Sequence, residues 1–140
     1  PQGLVLDESG EFLYVADYIG GVSRVRIADG RVEKLAVPAA VSDYGIDGLY
    51  RHGSRLIAIQ NGIQPHRVTA FKLSNDGLAI ESAEILAMNL PEFDEPTLGT
   101  VVGDDFYLVA NSHWNRFDEN NELPDGLTGP IVLKLSLRSR

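Results

Sequence analysis

The residues best suited to chemistry stand at the two ends of a predicted pair of strands. Asp47 opens the first apolar run and Asn61 closes the second, with a polar turn at residues 51–55 between them. In an antiparallel pair, the start of one strand and the end of the next lie together, so we expect Asp47 and Asn61 to be neighbours. Carboxylate and amide oxygens are the ligands that Ca²⁺ or Mg²⁺ prefers. The alternative is that Asp47 and Gly48 only form a turn, with the carboxylate bound to nearby backbone amides.

Polar residues recur at the equivalent places on either side of this pair. Gln2 and Glu95 precede the first strand of two similar segments, while Asp17 and Asn111, like Asn61, end a second strand. Together these residues are predicted to line the same mouth. Asp and Asn are also common at such ends for backbone reasons alone, so their repetition supports the fold more than it supports catalysis.

A histidine and a tryptophan follow Asn111 directly. His113 could serve as a general acid or base, and Trp114 could form an apolar wall for a ligand. A surface histidine beside a packing tryptophan is the alternative interpretation. Spacing alone assembles no Ser-His-Asp set.

The acidic loop at residues 117–126 alternates Asp118, Asn120 and Glu122 as a calcium loop does. An EF-hand needs glycine at the sixth position, where this chain has Leu123, so that motif fails. We expect a solvated loop or a lid over the mouth.

Three repeats of short strands are predicted along the chain, at approximately residues 1–40, 41–93 and 94–140. The period of roughly 45 residues is typical of propeller blades. A helix is the rival interpretation for residues 80–88, but the hairpin signal at residues 75–77 favours a strand. The last repeat lacks a fourth strand. We therefore predict an all-β propeller of about three four-stranded blades, the last incomplete, as half of a six-bladed ring.

An open stack of this kind would leave an exposed strand edge and uncovered blade faces. We expect a missing N-terminal half, or a second copy in a homodimer, to cover them. The first residue is Pro1 rather than Met, which fits a piece of a longer protein.

Composition excludes several classes of function. The 140 residues carry a net charge of -8, which argues against binding to a nucleic-acid backbone. The sequence has no cysteine, which excludes disulfides, zinc-thiolate sites and a cysteine nucleophile. No apolar run approaches the ~18 residues of a membrane span. A secreted or periplasmic location is slightly favoured.

Two sets of residues carry a resemblance to a known family. Pro1-Gln2-Gly3-Leu4 with the strand that ends at Asp17, and Ile46-Asp47-Gly48-Leu49, resemble the calcium-dependent lactonase superfamily of six-bladed propellers. That superfamily includes gluconolactonase, senescence marker protein and strictosidine synthase. The likeness covers nearly all of the chain, but its motifs are short.

The resemblance implies a divalent metal, most often calcium, at one mouth of the central channel. It implies that Asp47 is a metal ligand and activates the attacking water, with a lactone or ester as substrate. A second ligand position, Asn in the family, is Gln2 here, which keeps the carbonyl oxygen but adds a methylene. The remaining ligands would lie in the missing half. Two alternatives are a non-catalytic propeller that binds a ligand or protein across the mouth, and a purely structural repeat region.

Overall fold

A computed structural model describes residues 1–138 as eleven β-strands and one turn of 3₁₀-helix. The strands are β1 (Leu4–Leu6), β2 (Phe12–Asp17), β3 (Gly21–Arg26), β4 (Val32–Lys34), β5 (Ile46–His52), β6 (Arg55–Gln60), β7 (Arg67–Leu73), β8 (Ile80–Met88), β9 (Gly99–Val102), β10 (Asp105–Val109) and β11 (Val132–Ser136). The 3₁₀ turn, Trp114–Arg116, lies in the long loop between β10 and β11.

The strands form three antiparallel sheets in chain order. Sheet 1 is β1-β2-β3-β4, sheet 2 is β5-β6-β7-β8 and sheet 3 is β9-β10-β11. Each sheet is a simple meander, because strands that are neighbours in the sequence pair with each other. Shorter connections join the strands within sheets 1 and 2, whereas the long loop at residues 110–131 joins β10 to β11. The all-β prediction of three blades with an incomplete last one is confirmed, and the region at residues 80–88 is a strand, not a helix.

Two hydrophobic clusters hold the sheets face to face. One cluster joins sheets 1 and 2 around Tyr14, Leu56 and Phe71, and the other joins sheets 2 and 3 around Ile57 and Phe106. Successive side chains of a strand point to opposite faces. Sheet 2 is covered on both faces, which explains why the middle of β6 is an unbroken apolar run.

The first strands of the three sheets lie side by side. β5 contacts β1 and β2 on one side and β9 on the other. The starts of these strands, and the ends of the second strands β2, β6 and β10, therefore meet at one end of the stack. We call this end the mouth.

Within residues 1–138, no helix is long and apolar enough to cross a membrane.

Candidate functional site

A cleft of about 320 Å³ opens at the mouth. Five residues that the sequence predicted to line the mouth do line this cleft: Gln2, Asp47, Asn61, Glu95 and Trp114. Three further lining residues were missed: Tyr18, Thr97 and Ser112. Each missed residue directly follows, or lies within two residues of, a predicted one, so the strand-end positions were the signal that could have found them.

Asp47 lies on a bulge in β5. Ile46 pairs with Gln60 and Gly48 pairs with Ile59, so Asp47 is the extra residue between two paired ones. Bulges change the direction in which a side chain points and are frequent beside functional sites. Here the bulged residue is Asp47, and its side chain lines the cleft.

The Asp47 carboxylate is held by two donors from different segments. Asn61 Nδ2 donates to Asp47 Oδ2 at 2.9 Å, which confirms the predicted proximity of the two residues. Thr97 Oγ1 donates to the same oxygen at 2.7 Å. In the hydrogen bonds of residues 1–138, Oδ1 of Asp47 accepts none, so it is the oxygen left for a ligand.

Asn61 makes hydrogen bonds to residues at the mouth ends of all three sheets. Its Nδ2 also donates to the Pro96 carbonyl at 3.0 Å, and its Oδ1 accepts from the Tyr18 hydroxyl at 3.0 Å. Because Asp47 and the carbonyl are both acceptors, the NH₂ group must face them and the oxygen must face Tyr18. The orientation of the amide is thus fixed by its partners.

Two buried polar residues anchor the segment that leads into β5. Gln60 Nε2 donates to the carbonyls of Ser42 and Tyr44, at 3.0 and 2.8 Å, and Gln60 Oε1 accepts from Thr69. Asp43, which is 3% exposed, accepts from the Val22 backbone amide at 2.8 Å. Buried polar groups satisfied in this way fix the path of a loop, and here they hold the loop that leads into β5, whose second residue is Asp47.

Glu95 brings a second carboxylate to the cleft from sheet 3. Its backbone has a φ of 59°, a left-handed conformation that is uncommon for glutamate. Its Oε2 accepts from the Asn115 backbone amide at 2.9 Å, which ties it to the 3₁₀ turn. Unusual backbone conformations of this kind concentrate at functional sites.

The electrostatics of the cleft are negative. The lining residues include two carboxylates and no Lys, Arg or His. Burial, then the charges of Asp47 and Glu95, raise the pKa of the Tyr18 hydroxyl above its ordinary value. Burial and the Asp47 charge likewise raise the pKa of Tyr50, although a hydrogen bond with Gly99 opposes them. The phenols therefore stay protonated at neutral pH, and Tyr18 remains a hydrogen-bond donor.

Three residues predicted at the mouth have other roles and do not line the cleft. Asp17 accepts hydrogen bonds from the backbone amides of Ile19 and Gly20 in its own turn. Asn111 is buried and secures the start of β11, donating to the Gly129 carbonyl at 3.0 Å and accepting from the Ile131 amide at 2.6 Å.

His113 is the third of these residues. Its Nδ1 lies 3.2 Å from Asp94 Oδ2 and its Nε2 lies 3.0 Å from the Thr128 carbonyl oxygen. Burial acts to raise the pKa of Asp94, but the contacts with His113 and Arg116 outweigh it and hold that pKa below its ordinary value. His113 thus stabilises the loop after β10. Within residues 1–138, no hydrogen bond links His113 to Ser112, the neighbouring serine that lines the cleft.

The acidic loop also has a structural explanation. Asp118 Oδ1 accepts from the backbone amides of Asn120 and Glu122, at 2.8 and 2.9 Å. The alternating residues thus form a local turn rather than converge on a cation.

The donor set of the cleft suits part of a site for a hard cation. Asp47 and Glu95 supply carboxylate oxygens and Gln2 supplies an amide oxygen, which are ligands that calcium accepts. In residues 1–138, no three His, Cys, Asp or Glu side chains lie close enough together to hold a metal ion. Calcium takes six to eight oxygen ligands, so further oxygens would have to complete the site.

Comparison with known proteins bears on the fold alone. No protein-family model matches the chain, and no curated protein matches it. Among solved structures, it is similar to the PQQ-bound form of aldose sugar dehydrogenase from Streptomyces coelicolor, with a TM-score of 0.55 and 13% sequence identity. The match covers 96% of this chain and 42% of that chain, so the chain spans less than half the length of its structural neighbour. With its three meander sheets stacked around their first strands, the chain is part of a β-propeller.

Proposed function

We propose that the mouth cleft belongs to the active site of a metal-dependent hydrolase that cleaves esters or lactones. The observation that carries this proposal is the position and the hydrogen bonding of the Asp47 carboxylate. Its carboxylate lies on a bulge in the cleft wall, with one oxygen fixed by Asn61 and Thr97 and the other without a hydrogen bond among the described residues. A preorganised carboxylate of this kind suits both cation binding and general-base catalysis.

Asp47, Glu95 and Gln2 would hold the cation, together with oxygens from outside these residues. A bound divalent cation polarises the carbonyl oxygen of the substrate. The net charge of -8 adds a long-range attraction for cations, which salt would weaken.

The chain's own residues would perform the remaining steps. Asp47 accepts a proton from water as the water oxygen forms a bond to the carbonyl carbon of the substrate. The bond from that carbon to the ester oxygen then breaks, and the proton passes from Asp47 to the departing oxygen. The Tyr18 hydroxyl donates its proton to Asn61 and so helps to hold Asn61 against Asp47, while the exposed indole of Trp114 provides an apolar surface for the organic part of the substrate.

The test is calcium titration by calorimetry on the protein in its natural length, followed by assay of a panel of aryl esters and lactones. Asp47→Asn keeps an acceptor for Asn61 and Thr97 but removes the charge. We expect it to weaken calcium binding at least about tenfold and to reduce hydrolysis by about 10²-fold or more. Asp17→Asn removes the same charge at the mouth but outside the cleft, and should leave both unchanged.

Calcium binding that is unaffected by Asp47→Asn, or hydrolysis that persists in it, would contradict the proposal.

A non-catalytic propeller that binds a ligand across the mouth is the second candidate. The described residues supply only two carboxylates to the cleft, which is fewer oxygen ligands than a calcium site needs, and this favours the non-catalytic candidate. Trp114 is the single tryptophan of the sequence and lies in the cleft wall, so its fluorescence reports binding. A ligand that changes this fluorescence without being turned over, in a protein that binds no calcium, would favour this candidate.

A further inference from the structure

A second cleft, of about 330 Å³, lies between sheets 1 and 2 at the end of the stack opposite the mouth. We call it the lower cleft. It forms where the β1–β2, β5–β6 and β7–β8 turns meet. Three basic residues line it, whereas the mouth cleft has none: Arg24, Arg51 and Lys72. Lys72 is already paired with Glu81, outside the cleft, at 2.8 Å, so the two arginines are the residues to consider for ligand binding.

The two arginines come from different sheets and lie near the same hydroxyl. Arg24 belongs to β3 of sheet 1 and Arg51 to β5 of sheet 2. Burial is the largest influence on the pKa of Tyr14 and raises it, while the positive charges of both arginines act to lower it. The lower cleft therefore brings two guanidinium groups to one place between the sheets.

The Arg24 guanidinium is held rigidly. It lies over the Phe12 ring, 4.3 Å from the ring centroid, and its Nη1 donates to the Asp76 carbonyl at 2.7 Å. Its Nη2 donates to Glu33 Oε2 at 2.8 Å, and the side chain is only 11% exposed. Its buried Nε has no hydrogen-bond partner among residues 1–138. Arg24 is thus a fixed positive charge in the wall of the cleft.

Arg51, in contrast, keeps most of its donors free. A guanidinium carries five N–H groups, and within residues 1–138 the side chain makes one hydrogen bond, from Nη2 to Glu8 Oε2 at 2.8 Å. The Arg51 side chain is 23% exposed, whereas that of Glu8 is 88% exposed. An ion pair with so exposed a partner contributes little to stability. The Glu8 carboxylate is therefore easily displaced, and it marks where an oxyanion binds Arg51.

The other acidic residues that line the lower cleft are engaged within their own turns. Asp7 accepts from the Phe12 backbone amide at 3.0 Å, and Asp76 accepts from the Ser74 hydroxyl at 2.6 Å. Within residues 1–138, no hydrogen bond joins either aspartate to Arg51. Glu8 is thus the only acidic residue of this lining that competes for the Arg51 donors.

We propose that the lower cleft binds a small oxyanion, a carboxylate or a phosphate, through Arg51 in the place that Glu8 occupies, independently of the reaction at the mouth. A planar guanidinium binds two oxygens of such a group side by side. Arg24 supplies the second positive charge, and the volume lies within the range of small-molecule sites. Because the two arginines belong to different sheets, the bound anion stabilises the contact between sheets 1 and 2.

The test is calorimetric titration of the natural-length protein with inorganic phosphate and with succinate at low ionic strength. Arg51→Gln removes the guanidinium, and we expect it to weaken binding at least about tenfold. Glu8→Gln removes the competing charge and should strengthen binding by about two- to fivefold. Arg26→Gln is the matched control, because Arg26 is 41% exposed and pairs with Asp29 outside the cleft, and it should leave the affinity unchanged.

The anion that binds more tightly identifies the class of oxyanion. Binding of neither anion would overturn the inference, as would equal binding by the unaltered protein and Arg51→Gln. A rise in melting temperature with phosphate that chloride reproduces at the same ionic strength would mean charge screening alone. Weaker binding in Glu8→Gln would show that Glu8 is not a competitor for the site. Because Glu8 is exposed, that variant is expected to fold even if Arg51→Gln does not.

Discussion

At the scale of single residues, three polar side chains at equivalent strand ends have three different roles. Asp17 caps the turn that it begins, and Asn111 secures the start of β11. Asn61 instead reaches Asp47 and Pro96 and accepts from Tyr18. The difference arises because Asn61 belongs to the middle sheet, where a neighbouring sheet lies within reach on both sides. The repeat thus predicts where such residues stand but not what each one contacts.

Thr97 offers a direct test of how Asp47 is held. Thr97→Val keeps the side-chain shape but removes the hydroxyl that donates to Asp47 Oδ2 at 2.7 Å. We expect it to lower the free energy of unfolding by about 1 to 2 kcal/mol, since the hydrogen bond is to a charged group but only partly buried. Urea unfolding of both proteins measures the difference.

The conservative change Thr97→Ser retains the hydroxyl and should restore most of that loss. Equal destabilisation by the two substitutions would show that packing of the Thr97 methyl group, and not the hydrogen bond, matters at this position.

At the scale of elements, two loops at the mouth are joined through the backbone of Gly45. Gly45 N donates to the Tyr18 carbonyl at 2.8 Å, and Gly62 N donates to the Gly45 carbonyl at 3.0 Å. Gly45 has a φ of 66°, and a Cβ there would lie 2.7 Å from the carbonyl carbon of Gly62. The contact between the loops that carry Tyr18 and Asn61 therefore needs glycine for both conformation and space.

Gly45→Ala should destabilise the protein more than a glycine replacement that meets only a conformational cost. Gly10 is the matched control, because its φ is 75° but a Cβ added there has nothing within 4 Å. We expect Gly10→Ala to cost about 1 to 2 kcal/mol for the left-handed conformation. Gly45→Ala should cost that amount plus about 1 to 3 kcal/mol for overpacking. Thermal unfolding measures both, and equal losses would argue against the tight approach of the loops.

At the scale of the whole molecule, hydrogen bonds to carboxylates connect stability to pH. They lower the pKa of the partly buried Glu33 and of four exposed aspartates, which are Asp17, Asp76, Asp104 and Asp118. Glu33 accepts from the Arg24 side chain, and Asp17 and Asp118 accept from the backbone amides of Gly20 and Glu122. Asp76 accepts from the Ser74 hydroxyl, and Asp104 accepts from the His52 ring. A carboxyl group with a lowered folded-state pKa stabilises the fold above its ordinary pKa of about 4, and this contribution is lost as the pH falls below it.

Tyrosines act at the other end of the pH range. Burial, as the largest cause, raises the pKa of Tyr14, Tyr18 and Tyr50. A tyrosine with a raised folded-state pKa contributes stability that is complete below about pH 10 and is lost as the pH rises through the folded-state value.

We therefore expect the melting temperature to be nearly constant between about pH 5 and pH 9 and to fall on both sides. Differential scanning calorimetry from pH 3 to pH 11 measures this. A melting temperature that rises as the pH drops below 4 would contradict the acid side. One that is unchanged above pH 10 would contradict the tyrosine side.

Local patterns in the sequence were enough to predict the all-β class, the three repeats and the proximity of Asp47 and Asn61. They sufficed because alternation, turn residues and antiparallel pairing act over a few residues, and these patterns set which strand ends meet. The strand at residues 80–88 was also readable from its adjoining hairpin turn.

Other features depended on contacts between sheets, which no local pattern encodes. Thr97 and Tyr18 contact the Asp47–Asn61 pair from sheets 3 and 1, and the burial of Asp43 and Gln60 fixes the loop before β5. The predicted mouth residues Asp17, Asn111 and His113 turned instead to nearby backbone groups and to Asp94. A polar side chain binds whichever partner the packing brings within about 3 Å. Tertiary structure therefore decided which members of a repeated polar set face the cleft, while the sequence determined the frame that holds them.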